Sequence, residues 1–90
     1  MDIENIRTFM ILANTKNYTR TAAQLFVAQS TVTNRINELE KELSVNLFTR
    51  TNRSVELTPS GEQFLEDSEK VIKLTDVSLS SISSLGKYKS

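Results

Sequence analysis

Apolar residues recur at steps of three and four near the N-terminus, at Ile3, Ile6, Phe9, Met10 and Ala13, and Asp2 stands where a side chain can accept the free amides of a helix start. The spacing predicts a helix from Ile3 to Asn14. Asn14, Thr15, Lys16 and Asn17 break the period and favour local bonds to backbone, so they read as a loop. Thr19 is placed as the N-cap of a short helix running through Phe26, with Ala22, Ala23 and Leu25 as a small apolar face that permits close helix approach. Phe9, Phe26 and Phe48 read as core.

The clearest period follows Val27 and Ala28. Val32, Ile36, Leu39 and Leu43 lie at offsets of 4, 7 and 11, a narrow stripe at 100° per residue. The opposite face carries Ser30, Asn34, Asn37 and Lys41, with Thr33 beside it and Arg35 on a flank nearer the core. That face is polar with little charge, whereas a solvated surface helix more often carries Glu and Lys pairs.

Residues 47–51 and 54–58 predict two short strands, the second alternating Val55 and Leu57 inward with Glu56 and Thr58 outward, and Asn52 and Arg53 at the hairpin tip. Thr58 and Pro59 form an N-cap and first-helical-position pair that opens a long last helix. In it Leu65, Ile72 and Leu79 repeat every seven residues. Phe64, Val71 and Leu85 share a neighbouring register, and Ile82 is a further apolar position. Such a stripe suits a seam between two helices. Packing back onto its own domain is the alternative, but a helix of about 25 residues is about 38 Å long and overshoots so small a unit. The Ser-rich run 78–84, followed by Gly86 and Lys87, reads as a frayed end or linker.

Composition narrows the chemistry. Ninety residues allow one modest core, and oligomerisation would help to stabilise it. With no Cys and no His, the chain has no thiolate nucleophile, no finger-type zinc site and no imidazole base, and neither a metal nor a cofactor is expected. No pair of carboxylates is placed to share a cleft, so an enzyme is not expected. No stretch has the apolar length of a membrane span and the N-terminus lacks a signal-peptide pattern, which predicts a cytoplasmic location.

Eleven basic residues balance eleven acidic ones, a sum that argues against nucleic acid until the charges are placed. From Asn5 to Asn37 the charged residues are Arg7, Lys16, Arg20 and Arg35, with no acid among them, and between Leu43 and Val55 they are Arg50 and Arg53. Acids collect at Glu38, Glu40 and Glu42 and again at Glu62, Glu66, Asp67 and Glu69. Charged blocks are often no more than solvated helix faces. Here, however, the basic blocks coincide with the order helix, short helix, tight connection, amphipathic helix and hairpin, which is a winged helix-turn-helix. In such a unit the third helix enters the major groove. Gln and Asn can pair with adenine edges, hydroxyls serve phosphates or bases, and wing arginines neutralise phosphate or enter a minor groove. Arg50 has a competing role as the ion-pair partner of Glu40, and Glu56 could hold the wing in shape.

The same residues carry a family resemblance. Thr21-Ala22-Ala23 with Leu25, Gln29-Ser30-Thr31-Val32-Thr33, Ile36, Leu39-Glu40, Leu43, Leu47-Phe48-Thr49-Arg50, Arg53 and Leu57-Thr58-Pro59-Ser60-Gly61 together resemble the N-terminal segment of LysR-type transcriptional regulators. The resemblance spans essentially the whole chain. It implies a mainly α fold, with a winged helix-turn-helix of three helices and a two-stranded wing over residues 1–58 and a dimerisation or linker helix over 59–90. It also implies a C-terminal effector domain in full-length members, so that ninety residues read as a DNA-binding fragment of a longer regulator.

Carried over by position, Thr19 and Arg20 open the helix that meets the DNA backbone. Gln29, Ser30, Thr31, Thr33, Asn34 and Arg35 lie on the recognition helix, and Arg50 and Arg53 on the wing. Phe64, Leu65, Val71, Ile72, Leu79 and Ile82 fall to the dimer seam. The implied partners are double-stranded operator DNA and a second copy of the chain, with the two last helices antiparallel and no membrane. Three positions depart from the family pattern. Ala28 replaces a common capping Ser, while Ser30 and Thr31 replace Pro and a small apolar residue. Either Ser30 therefore becomes the cap of a later-starting helix, or the cap is absent.

Overall fold

A computed structural model describes residues 1–49, 51 and 54–89, with side chains described as far as residue 74. Four helices follow one another: α1 (Ile3–Thr15), α2 (Tyr18–Leu25), α3 (Gln29–Leu43) and α4 (Pro59–Lys89). The first starts where Asp2 Oδ1 accepts the Glu4 amide at 2.8 Å. The second starts two residues earlier than a Thr19 cap predicts, because Asn17 is the cap and its Oδ1 accepts the Arg20 amide at 2.9 Å. Asn and Thr compete for this role, and Asn17, whose own amide donates to the Thr15 hydroxyl, takes it.

Each of the first three helices ends on a non-glycine residue in the left-handed region: Lys16 (φ 55°), Phe26 (φ 58°) and Ser44 (φ 57°). This conformation costs roughly 1–2 kcal/mol per residue. After α2 and α3 the cost is offset by paired capping bonds. Val27 donates to the Ala22 carbonyl and Phe26 to that of Ala23, while Val45 donates to Glu40 and Ser44 to Lys41.

The left-handed turn corrects the reading of Phe26. Helix α2 stops at Leu25, and Phe26, expected in the core, swings outward to 95% exposure while Val27 packs against the core in its place. Phe26→Ser is accordingly expected to change unfolding free energy by no more than about 0.5 kcal/mol, as read by urea denaturation. A loss of several kcal/mol would show that the ring packs after all. Helix α2 buries Thr21 and Ala22, and Ala23 stays exposed.

The core joins Ile6, Phe9, Leu12 and Ala13 of α1 to Ala22 of α2, Val32, Ile36 and Leu39 of α3, and Leu47 and Phe48 beyond α3. The α3 stripe is thus buried as its spacing predicts, with Leu43 half-buried at its end. Phe9 is central. Its ring lies 5.4 Å from that of Phe48 and 5.0 Å from that of Phe64, the latter edge-on.

The two predicted strands shrink to one antiparallel bridge among the described residues, Phe48 with Leu57, supported by the Thr49 amide on the Glu56 carbonyl at 2.8 Å. A hairpin this short has little inward face, and among the described residues the pairing lies at its base.

Thr58 caps α4 as expected, its Oγ1 accepting the Gly61 amide at 3.0 Å with Pro59 in the first helical position. The inward stripe of α4 runs through buried Gly61 and Ser68 with half-buried Phe64, Leu65 and Ile72, and all three of these apolar residues pack on this protomer's own core. For them the fold-back alternative holds. Val71 (47% exposed) and Leu74 (68%) occupy the adjoining flank. Leu79, Ile82 and Leu85 lie outside the described side chains.

Candidate nucleic-acid interface

The polar face of α3 stands open. Ser30, Asn34, Asn37 and Lys41 are exposed with Thr33 half-buried beside them, as the periodicity predicts, and Gln29 is exposed as well. The helix begins at Gln29, its N-cap is Ala28 (φ −70°, ψ 151°), and no side chain caps its first amides. Of the two alternatives for Ser30, the second holds: the cap is absent, and the Ser30 hydroxyl is not spent on one. Helices α1, α2 and α4 each receive a side-chain oxygen at their start. An uncapped start leaves backbone donors and the positive end of the helix dipole directed outward, an arrangement that attracts anions.

Helix α2 sets its first turn beside this end. Thr19 Oγ1 donates to Gln29 Oε1 at 3.2 Å, which ties the two helix starts into one polar surface. Arg20, one residue on, is exposed. Thr33 Oγ1 turns back to donate to the Gln29 carbonyl at 3.3 Å, and Thr31 is half-buried. Thr19, Gln29, Ser30, Thr33 and Asn34 therefore share one surface, and exposed Arg20 follows Thr19 in the first turn of α2. Arg35 goes elsewhere: its Nη1 donates to Thr8 Oγ1 at 3.1 Å, and Thr8 in turn donates to the Glu4 carbonyl at 2.8 Å, so this guanidinium braces α3 against α1. Arg50 and Arg53 lie outside the described residues.

Beside α3 an open cleft is lined by Tyr18, Gln29, Thr33, Thr49, Thr51, Ser54 and Val55. Its rim is rich in hydroxyls, the side chains best suited to phosphate oxygens after Arg and Lys. In the sequence Tyr18 is open between packing before α2 and touching the DNA backbone, and Thr49, Thr51 and Ser54 are not among the candidates. A cluster of hydroxyl residues on both arms of the predicted hairpin was the available signal, but only the folded hairpin sets them opposite Thr33.

Most acidic groups are engaged with other partners or stand exposed along α4. Glu38 accepts from Asn5 Nδ2 at 3.0 Å, Glu42 lies 3.5 Å from the N-terminal ammonium, and Glu62, Glu66, Asp67 and Glu69 are exposed along α4. Glu56 meets Lys16 Nζ at 3.4 Å, an exposed pair that links the α1–α2 turn to the hairpin. Glu40 is buried and bonds backbone amides. Among the described residues no group of three or more metal-ligating side chains clusters, and no helix is long and apolar enough to cross a membrane.

Known proteins share both the sequence and the shape. Residues 3–62 match the lysR family of bacterial regulatory helix-turn-helix proteins. The chain is 39% identical over 74 residues to the HTH-type transcriptional regulator YofA of Bacillus velezensis, an overlap of 82% of this chain and 26% of that protein. It spans about a quarter of that relative's length. Among solved structures it is similar to the BenM DBD in complex with catB site 1 DNA, with a TM-score of 0.91 and 28% identity over 96% of each chain. It is also similar to the CbnR DBD in its DNA complex, with a TM-score of 0.90 and 30% identity over 96% of this chain and 99% of that one.

Proposed function

The chain belongs to the lysR family of bacterial regulatory helix-turn-helix proteins, and from that premise we propose that it binds double-stranded operator DNA sequence-specifically as the DNA-binding part of a transcriptional regulator. The observation that carries this reading is the uncapped, outward-facing start of α3, with Gln29, Ser30 and Asn34 exposed beside Thr19 and Arg20 and no acid between Asn5 and Asn37. In this reading the first two turns of α3 enter the major groove. Ser30, Gln29 and Asn34 read base edges, and Thr19, Arg20 and the uncapped amides hold phosphates. The hydroxyl-lined cleft takes the strand between the groove and the wing. Arg50 and Arg53 reach the flanking minor groove. Arg35 acts by holding α3 in place.

Two protomers act together, with α4 pairing antiparallel to its counterpart through the flank that holds exposed Val71 and Leu74 and continues toward Leu79 and Ile82. A two-fold dimer matches an interrupted inverted repeat, one recognition helix per half-site. The role is one of binding without catalysis, in the compartment that holds the chromosome.

Selection from a pool of random duplexes should recover an inverted repeat whose half-sites lie in successive major grooves, and light scattering at tens of micromolar should give twice the chain mass. Recovery of unrelated duplexes would overturn the sequence-specific reading, and a monomer would overturn the paired one.

A further inference from the structure

The peptide of Leu47 is held from both sides. On its amide side stands Glu40, near the C-terminal end of α3 and only 7% exposed, whose Oε2 accepts the Leu47 amide at 2.7 Å and the Phe48 amide at 3.4 Å. On its carbonyl side stands the start of α4. The Leu47 carbonyl accepts the Thr58 amide at 3.0 Å, and the Thr58 hydroxyl donates to the neighbouring Asn46 carbonyl. Gly61, one turn into α4, sits so close that a Cβ there would overlap the Leu47 carbonyl oxygen and press on Leu57 Cδ2 at 3.0 Å. The Leu47 side chain is fully buried, and next to it the Phe48 ring stacks toward Phe9, which also meets Phe64 of α4.

A buried carboxylate on two consecutive amides is a strong, directional anchor, since bonds to an ionised acceptor are about twice as strong as neutral ones. The opposite contact is backbone against backbone, and it cannot yield as a flexible side chain would. We propose that Glu40 and Gly61 are positioning residues that set the direction of α4 relative to the recognition helix and so fix the distance between half-sites that a dimer accepts. This rests on the paired reading above, because α4 is the arm through which two recognition helices are spaced. Neither residue touches DNA in that reading. Their effect passes through the Leu47 peptide.

The junction can be read within one protomer and on DNA. Lys41 and Lys73 are exposed on α3 and α4, and the chain has no native Cys, so K41C/K73C carries two spin labels without competing thiols. With labelled chain diluted into unlabelled chain, Gly61→Ala is expected to shift or broaden the distance distribution seen in the otherwise unaltered chain. On duplexes whose half-sites are moved apart or together by one or two base pairs, the unaltered chain should prefer one spacing at least about tenfold. Gly61→Ala should reduce that preference about fivefold or move its optimum, while affinity for a duplex with one half-site changes less than about twofold.

If Gly61→Ala fails to fold by circular dichroism, Glu40→Gln is read in the same two assays, with the same direction and about a threefold loss of spacing preference. A folded variant with unaltered label distances and spacing preference would overturn the proposal. So would an equal loss on every duplex, the single half-site included. Absence of a spacing optimum in the unaltered chain would instead overturn the paired reading, leaving the label distances to decide the junction.

Discussion

Replacing Phe9 by alanine is expected to lower the unfolding free energy by about 3–5 kcal/mol, most of what a domain of this size has. Phe9 is fully buried, and its ring touches two others that belong to different parts of the chain: Phe48 beyond α3 at 5.4 Å and Phe64 of α4 at 5.0 Å. Truncation removes the transfer energy of the ring, leaves a cavity that three elements cannot jointly collapse, and deletes two aromatic contacts worth roughly 0.5–1.5 kcal/mol each. The melting temperature should fall by at least about 12 °C, from about 4 °C per kcal/mol in a domain of this length. Calorimetry showing a fall of only a few degrees would mean that Phe9 does not join these elements. The contrast with Phe26→Ser is the point: one phenylalanine holds the fold, while another is nearly fully exposed.

Asn34→Ala is expected to weaken binding to the selected duplex by roughly 1–3 kcal/mol, a loss of about 5- to 150-fold, and to alter random-duplex affinity far less. Asn34 lies on the exposed face of α3 one turn beyond Ser30, where an amide can give and take one hydrogen bond each with an adenine edge. Alanine keeps the helix and removes both partners. Equal losses on selected and random duplexes, measured by fluorescence anisotropy at one fixed salt concentration, would assign Asn34 to the DNA backbone instead.

Where a single energy term dominates, the fold was legible in the sequence. The stripe Val32, Ile36, Leu39 buries as its period predicts because hydrophobic burial alone decides it. Thr58 and Pro59 open α4 because cap chemistry is local. The exposed face of α3 followed from the same geometry. What stayed hidden depended on competition between nearly equal terms or on contacts distant in sequence. Phe26 carries every mark of a core residue, yet a left-handed turn with its own capping bonds directs it outward. A heptad stripe in α4 suits a partner helix, and the length of the helix favours that reading over its own core. Phe64, Leu65 and Ile72 nevertheless pack on the core, where the Phe64 ring meets that of Phe9.

In the sequence Glu40 is one acid among Glu38 and Glu42 with Arg50 as a candidate partner, and only the return of residues 47 and 48 to the end of α3 gives its carboxylate two amides to hold. Likewise the balanced total of charge says nothing of where charge lies. The acid-free run from Asn5 to Asn37 belongs to α1, α2 and the open half of α3, while acids crowd α4.

The measurement that bears most directly on DNA binding through this face is a titration of the selected duplex at several salt concentrations. Two protomers that each neutralise two phosphates release about four condensed counterions. The logarithm of the association constant should therefore fall linearly with the logarithm of salt concentration, with a slope of about −3 to −4 or steeper. A flat response would contradict the account, since no arrangement of phosphates against Arg20, the wing arginines and the start of α3 could leave affinity indifferent to salt.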